Sequence, residues 1–121
     1  MGLGTDCSGG YATGMLSVIR NASSVSRCLA FTETSQRPLD MAEVFYLATL
    51  GGASLCRLDD RVGNFLPGKE FDALRIKPRS PAIWEKEGEA TERVFERWLW
   101  CGDDRDIADV WVRGRRVGGA G

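Results

Sequence analysis

The chain begins with a helical pattern of apolar residues. Between residues 12 and 31, apolar side chains recur at intervals of three and four, at Met15, Val18, Ile19, Ala22, Val25 and Leu29. This spacing puts them on one face and predicts an amphipathic helix. The segment CSGG precedes it, and either Ser8 or Asp6 is expected to accept hydrogen bonds from the unpaired N–H groups at its start.

A second helix is predicted after a loop, TETSQRPL. Asp40 is its expected N-cap, because Glu43 follows three residues later in a capping-box arrangement. Gly51 and Gly52 are expected to end it. The next segment, ASLCRLDDRVG, is expected to form a short helical turn and then a loop.

The second half of the chain has a different pattern. A turn at Pro67 and Gly68 precedes a predicted strand within residues 71–76, and residues 78–90 are predicted to form a loop. TERVFERWLWCG predicts a helix, and ADVWVRGRRV predicts a small hairpin that turns at Gly114. The predicted order is helix, helix, strand, helix, hairpin.

Two amphipathic helices thus precede any strong strand. The opening MGLGTD resembles the end of a strand whose body lies outside this sequence. The apolar face of the first helix would then have little sheet to cover it, which indicates a partner or a truncation.

Composition excludes several classes of protein. The 121 residues contain 16 Lys and Arg against 17 Asp and Glu, so net charge gives no electrostatic reason to expect a nucleic acid or an anionic membrane as partner. No apolar run approaches the roughly 20 residues of a membrane span, and the start lacks the pattern of a signal peptide. We therefore expect a cytoplasmic protein.

The four cysteines are far apart and form no C-x-x-C pair, so reduced, mostly buried thiols are expected rather than a zinc or redox centre. The segment VRGRRV is expected to be a solvated hairpin tip, with a phosphate-binding patch as the alternative. GDDRD at residues 102–106 is either a surface turn with an internal Arg105 ion pair or a metal or substrate loop. The four tryptophans favour core or subunit contacts over base stacking.

Asp6 is the main candidate for chemistry. It lies on the glycine-flanked segment GLGTDCSGG, where a carboxylate can cap a helix, stand beside an anion site or bind a metal. The segment lacks the Lys of a P-loop and the G-x-G-x-x-G spacing, which disfavours phosphate binding. The residues alone leave the cap and site interpretations open.

Three segments resemble a known family. GLGTDCSGGYATGMLSVIR, EVFYLATLGGASLCRLDDRVGNFLPGKEFDAL and WLWCGDDRDIADVWVRGRRV are similar to the C-terminal part of guanine deaminases, in the metal-dependent amidohydrolase superfamily. The middle stretch resembles amidohydrolases in general, whereas GTDCSGGY and LWCGDDRDI resemble guanine deaminases. The resemblance runs from Gly2 to Val117, and residues 78–91 depart from it most.

The resemblance implies an α/β fold, as the C-terminal piece of a (β/α)8 barrel with part of a small flanking β domain. Residues 1–60 would contain the end of the last barrel strand and the C-terminal helices. Residues 61–121 would form the C-terminal part of the β domain, with an inserted helix. A whole barrel needs on the order of 250 residues, so the chain would be only a portion of such an enzyme.

The resemblance also implies an activity, the hydrolysis of guanine to xanthine and ammonia in purine catabolism. Asp6 matches the aspartate that lies at the catalytic zinc, where it is a ligand of the metal site and accepts the proton of the attacking water. The complete enzymes resemble one another in being homodimers.

The chain has no histidine, although the family holds its zinc with four. A catalytic zinc site normally needs three protein ligands, and Asp6 alone does not provide them. We therefore expect the isolated chain to be inactive. The alternatives are a non-catalytic truncated product that binds a partner, or a portion of an amidohydrolase acting on another purine or on a triazine.

Overall fold

The computed structural model describes residues 1–32, 37–84 and 86–119. The chain divides into two units, Met1–Asn64 and Phe65–Gly121. The first unit contains the helices α1 (Met15–Thr32), α2 (Met41–Ala48) and α3 (Leu50–Leu55). The second contains the strands β1 (Ala73–Ile76), β2 (Ile107–Val112) and β3 (Arg115–Gly118), the helix α4 (Thr91–Cys101) and a 3-10 turn at Asp104–Asp106.

Helix α1 confirms the first predicted helix, but its capping was predicted wrongly. Because α1 begins at Met15, neither Asp6 nor Ser8 lies at its N-terminus. On its predicted apolar face Ile19 is buried, whereas Val25 and Leu29 are about half exposed. Of the loop predicted after this helix, residues 33–36 lie outside the described residues.

Helix α2 begins with the predicted capping box. The Asp40 carboxylate accepts a hydrogen bond from Glu43 N–H at 2.9 Å, and the Glu43 carboxylate accepts one from Asp40 N–H at 2.9 Å. The helix ends at Ala48, and the hydroxyl of the following residue, Thr49, donates to the Phe45 carbonyl at 2.8 Å. Such a back-bond bends a helix, and here it marks the break between α2 and α3.

The prediction that Gly51 and Gly52 end the helix was wrong, because α3 runs through both. The first residues of the chain pack on these glycines. A Cβ on Gly51 would lie 3.1 Å from the Met1 carbonyl oxygen, and one on Gly2 would lie 2.9 Å from the Gly52 Cα. The missing side chains are therefore what allows the N-terminal segment to approach α3 so closely.

The second unit is built on a three-stranded antiparallel sheet in the order β1-β2-β3. The predicted hairpin is confirmed, with Arg113 and Gly114 both at positive φ in its turn. The two residues that precede β1, Phe71 and Asp72, hold this turn in place. The Asp72 carboxylate accepts a hydrogen bond from Arg113 N–H at 2.6 Å, and the Phe71 carbonyl accepts one from Gly114 N–H at 2.9 Å.

Helix α4 confirms the third predicted helix and contributes two of the buried apolar side chains of this unit. Trp98 and Leu99 are buried on it, and Ile83 and Ala108 are buried elsewhere in the unit. Within the predicted loop, the described residues contain neither helix nor strand, and Glu85 lies outside them. Arg97 of α4 binds this loop through the Trp84 carbonyl and the Glu89 carboxylate.

Two other expectations have mixed outcomes. All four cysteines are free, as expected, but all four are exposed, so the expected burial was wrong. Trp98 is buried, whereas Trp84 is 64% exposed. In the part of the chain that the structure describes, none of the helices has both the length and the apolar run needed to span a bilayer.

Candidate functional site

Asp6 lies in a tight turn near the start of the chain. Its φ of 47° is in the left-handed region, which non-glycine residues seldom occupy, although Asp is among those that tolerate it. The Asp6 carbonyl accepts a hydrogen bond from Gly10 N–H, which closes the turn. The residue is exposed, so the turn presents its carboxylate to solvent.

The segment before this turn is held by the α2–α3 junction. Leu3 N–H donates to the Leu47 carbonyl at 3.0 Å, next to the glycine contacts of Gly2. Residues 1–6 are assigned to no strand. The expected strand end is thus an irregular segment here, because a strand requires a neighbouring strand and the described part of this unit has none.

Asp6 has no neighbours among the described residues that complete a metal site. Among residues 1–32, 37–84 and 86–119, no group of three or more His, Cys, Asp or Glu side chains is placed to hold a metal ion. The whole sequence has no histidine, the residue that most often binds catalytic zinc. The described residues therefore do not fit a zinc centre by themselves.

The second acidic segment, GDDRD, has a different role. Arg105 pairs with Asp103 at 2.6 Å, which confirms the predicted internal ion pair. Asp106 is completely buried, and its carboxylate accepts hydrogen bonds from the N–H groups of Arg79, Ser80 and Asp103 at 2.7, 2.8 and 3.0 Å. This carboxylate connects the start of the loop at residues 78–90 to the start of β2.

The bonds to Asp106 also determine its ionisation. Burial by itself would raise the pKa of Asp106, but the three N–H donors outweigh burial and hold the pKa below its ordinary value. Asp106 is therefore an ionised structural anchor whose oxygens are already engaged.

A second buried carboxylate, Asp109, lies on β2. Arg75 of β1 and Arg116 of β3 both pair with it across the sheet. Burial would raise the pKa of Asp109, but the two guanidinium groups lower it below its ordinary value. Arg116 of the VRGRRV segment thus joins an ion pair with a side chain that is still 53% exposed, and the segment forms the solvated hairpin that was predicted.

The sequence analysis placed Asp106 in an expected surface turn, which was wrong for this residue because it is buried, and it assigned no role to Asp109. The alternation within β2 offered a signal, since Asp109 occupies a strand position flanked by the apolar residues Ala108 and Val110. A charged residue inside an apolar strand is expected to have partners of opposite charge. Its partner Arg75, however, is 34 residues away in the sequence.

The comparisons with known proteins connect these features to a family. The sequence model described as "Amidohydrolase family" matches residues 1–117. The chain belongs to the amidohydrolase family.

The similar proteins are mostly guanine deaminases. The guanine deaminase of Mus musculus is 46% identical over 123 residues, which cover 97% of this chain and 27% of that protein. The crystal structure of a guanine deaminase from C. acetobutylicum, with guanine bound in its active site, matches with a TM-score of 0.82 and 30% identity over 95% of this chain and 26% of its own. An adenosine deaminase from Xanthomonas campestris with bound zinc matches with a TM-score of 0.65 over 84% of this chain and 21% of its own, but its 24% identity shows similarity of fold alone.

The chain therefore spans about a quarter of the length of the relatives it matches, 27% in the case of the mouse protein. Its helices and small antiparallel sheet have the fold of a portion of the guanine deaminase structures, which confirms the predicted fold class. The coverage is consistent with the expected C-terminal portion.

Proposed function

We propose that this chain is the C-terminal portion of a guanine deaminase, which converts guanine and water to xanthine and ammonia in purine catabolism. The observation that carries the proposal is the 46% identity to the mouse enzyme across 97% of the chain. The proposal includes a domain boundary: residues 1–60 would complete a barrel, and residues 61–121 would contribute to a small β domain.

In this proposal Asp6 is the carboxylate that the chain supplies to the reaction. A carboxylate beside the attacking water accepts a proton from it and passes a proton to the departing amine, so that the guanine amino group leaves as ammonia. Two features support this role. Asp6 is exposed, and it occupies a strained backbone conformation of the kind that clusters at functional sites.

The proposal assigns no complete zinc site to this chain. Zinc is the metal that the family resemblance implies, and its ligands would have to come from residues outside this sequence, since the described residues do not fit the ion by themselves. The isolated chain is accordingly proposed to be inactive. A cytoplasmic location and a homodimeric complete enzyme are further parts of the proposal.

The test begins upstream of the Met1 codon. Translation of the genomic sequence is expected to give an in-frame His-x-His motif and further histidines. The extended protein, supplied with zinc, is then expected to release xanthine and ammonia from guanine. The Asp6→Asn variant should lose about 100-fold or more in kcat, the usual effect of removing a general acid or base.

Asp60→Asn is the matched control, because Asp60 is an exposed aspartate outside the proposed site. It should retain full activity. Full activity of Asp6→Asn, or turnover by the 121-residue chain alone, would contradict the proposal. Adenine and an amino-triazine, assayed in parallel, test whether the parent enzyme acts on another ring.

A second candidate function is a non-catalytic product that binds a partner. The observation that favours it is the exposure of apolar side chains on α1, where Val25, Leu29 and Phe31 are 50%, 47% and 87% exposed. Each large apolar side chain left unburied forgoes roughly 1.5–3 kcal/mol. An in-frame stop upstream of Met1 would favour this candidate over the first. Binding of a hydrophobic dye by the isolated chain is expected under both candidates, and a compact monomer that binds no dye would count against both.

A further inference from the structure

We infer that Gly10 is a positioning residue that fixes the direction in which Asp6 presents its carboxylate. The expected effect of Gly10 on catalysis rests on the proposed role of Asp6. The geometry itself concerns only the turn from Thr5 to Gly10 and does not depend on that role.

The first step is the backbone of the turn. The hydrogen bond from Gly10 N–H to the Asp6 carbonyl brings the two residues together while Asp6 is held at a φ of 47°. The left-handed conformation is less stable than the right-handed one for a residue with a Cβ atom. A residue keeps this conformation where the surrounding contacts hold its backbone in place.

The second step is the space at Gly10. A Cβ on this residue would lie 2.9 Å from the Asp6 carbonyl oxygen and still closer to the Thr5 carbonyl oxygen. Both are backbone atoms, so an alanine at position 10 has to move the peptide group before Asp6 and the peptide group after it. The position therefore requires glycine in order to keep the Asp6 conformation.

The neighbouring glycines differ in an informative way. A Cβ on Gly9 would lie 2.8 Å from Oδ2 of Asp6, which is the end of a side chain that can rotate away. A Cβ on Gly4 would have nothing within 4 Å. An alanine at position 10 is thus expected to move the Asp6 backbone. An alanine at position 9 should move only the Asp6 carboxylate, and one at position 4 should move neither.

Nuclear magnetic resonance of the full 121-residue chain tests this order. In Gly10→Ala, the coupling constants and Cα shift of Asp6 are expected to report loss of the positive φ, while the resonances of α4 stay unchanged. In Gly9→Ala, only the carboxyl carbon of Asp6 should shift. In Gly4→Ala, the Asp6 resonances should match those of the parent chain.

An Asp6 φ that stays positive in Gly10→Ala would overturn the inference, as would an equal change in Gly4→Ala. None of these measurements involves turnover. Failure of the proposed catalytic role would instead appear as an active Asp6→Asn enzyme, so the two failures are distinguishable. If both hold, Gly10→Ala in the complete enzyme should lower kcat at least as far as a displaced acid–base group does, about 100-fold.

Discussion

The two units of this chain bring distant segments together by opposite means. In Phe65–Gly121, carboxylates connect segments that are far apart in the sequence, as Asp109 joins Arg75 and Arg116, and Asp106 joins the N–H groups of Arg79 and Ser80. In Met1–Asn64, glycines allow backbones to touch, as Gly2 does with Gly52. The second unit is therefore sensitive to the loss of a charge, and the first is sensitive to the gain of a methyl group.

Gly63→Ala is expected to have the largest effect on the first unit. Gly63 has a φ of 98°, and a Cβ there would lie 2.9 Å from both the Ala53 Cβ and the Leu50 Cα. Strain of the backbone and overpacking both act, and overpacking alone costs typically about 1–3 kcal/mol. Chemical denaturation followed by circular dichroism measures the loss.

Gly68→Ala separates the two causes. Gly68 has a similar φ of 91°, but a Cβ on it would have nothing within 4 Å. This variant should show the cost of backbone strain alone. Gly68 lies in the second unit, so its loss of stability is measured on the transition of that unit. A loss in Gly63→Ala no larger than this cost of strain would mean that close packing against α3 contributes nothing.

Asp106→Asn tests the second unit. One carboxylate oxygen, Oδ1, accepts from Arg79 and Ser80, and the other, Oδ2, accepts from Asp103 N–H. An asparagine can replace only one acceptor, so its NH2 group would face a buried N–H donor. Leaving a buried donor unsatisfied costs about 1–3 kcal/mol.

The exposed neighbour Asp104 provides the control, since Asp104→Asn makes the same chemical change at a carboxylate that is not buried. Denaturant unfolding monitored by tryptophan fluorescence reports on Trp98, which is buried in the same unit. Equal stability of the Asp106 and Asp104 variants would show that the buried carboxylate is not an anchor.

The same contrast explains how far the sequence could predict the structure. The capping box at Asp40 and the hairpin turn at Gly114 were predicted because each depends on residues within a few positions of one another. The roles of Asp106 and Asp109 were not, because apart from Asp103, three residues from Asp106, their partners lie 26 or more residues away or, for Arg116, on the opposite side of a turn. Gly51 and Gly52 were assigned as a helix end because the residues that pack on them, at the start of the chain, give no local signal.

The candidate site was predictable only in part. The sequence predicted that Asp6 lies on a glycine-flanked turn, but not its left-handed conformation, which depends on the fit of Gly10 against Thr5. Its chemical role came from resemblance alone. In the proposed function, the residues that complete a metal site lie outside this sequence, so no pattern within it could locate them.

The pH dependence of stability should also follow the second unit. The folded state holds the pKa of both Asp106 and Asp109 below the ordinary value of about 3.9. Between the folded and unfolded pKa values, the unfolded chain binds more protons. Stability from these groups is therefore fully present above about pH 4 to 5 and is lost as the pH falls through the folded values.

Unfolding measured by denaturant at a series of pH values from about 7 to about 3 should show this decline. Glu89 adds to it, because Arg97 lowers the pKa of this carboxyl. Glu43 gives the first unit a decline of its own, because Arg37 lowers the pKa of Glu43. The slope in Asp109→Asn should be shallower than in the parent chain but should not vanish. A slope identical to that of the parent would contradict the assignment of a lowered pKa to Asp109.

The smallest effect is expected at the start of α2, where the first unit has a local polar anchor of its own. Asp40→Ala removes the acceptor for Glu43 N–H, and loss of an N-cap costs about 1 kcal/mol, in a range of roughly 0.5–2. Asp60→Ala removes a carboxylate of the same size from an exposed turn and should cost much less. Because the capping box lies within four residues, its loss should lower the stability of Met1–Asn64. The unfolding transition of Phe65–Gly121, followed by Trp98 fluorescence, should stay in place. A shift of both transitions together would mean that the two units unfold as one.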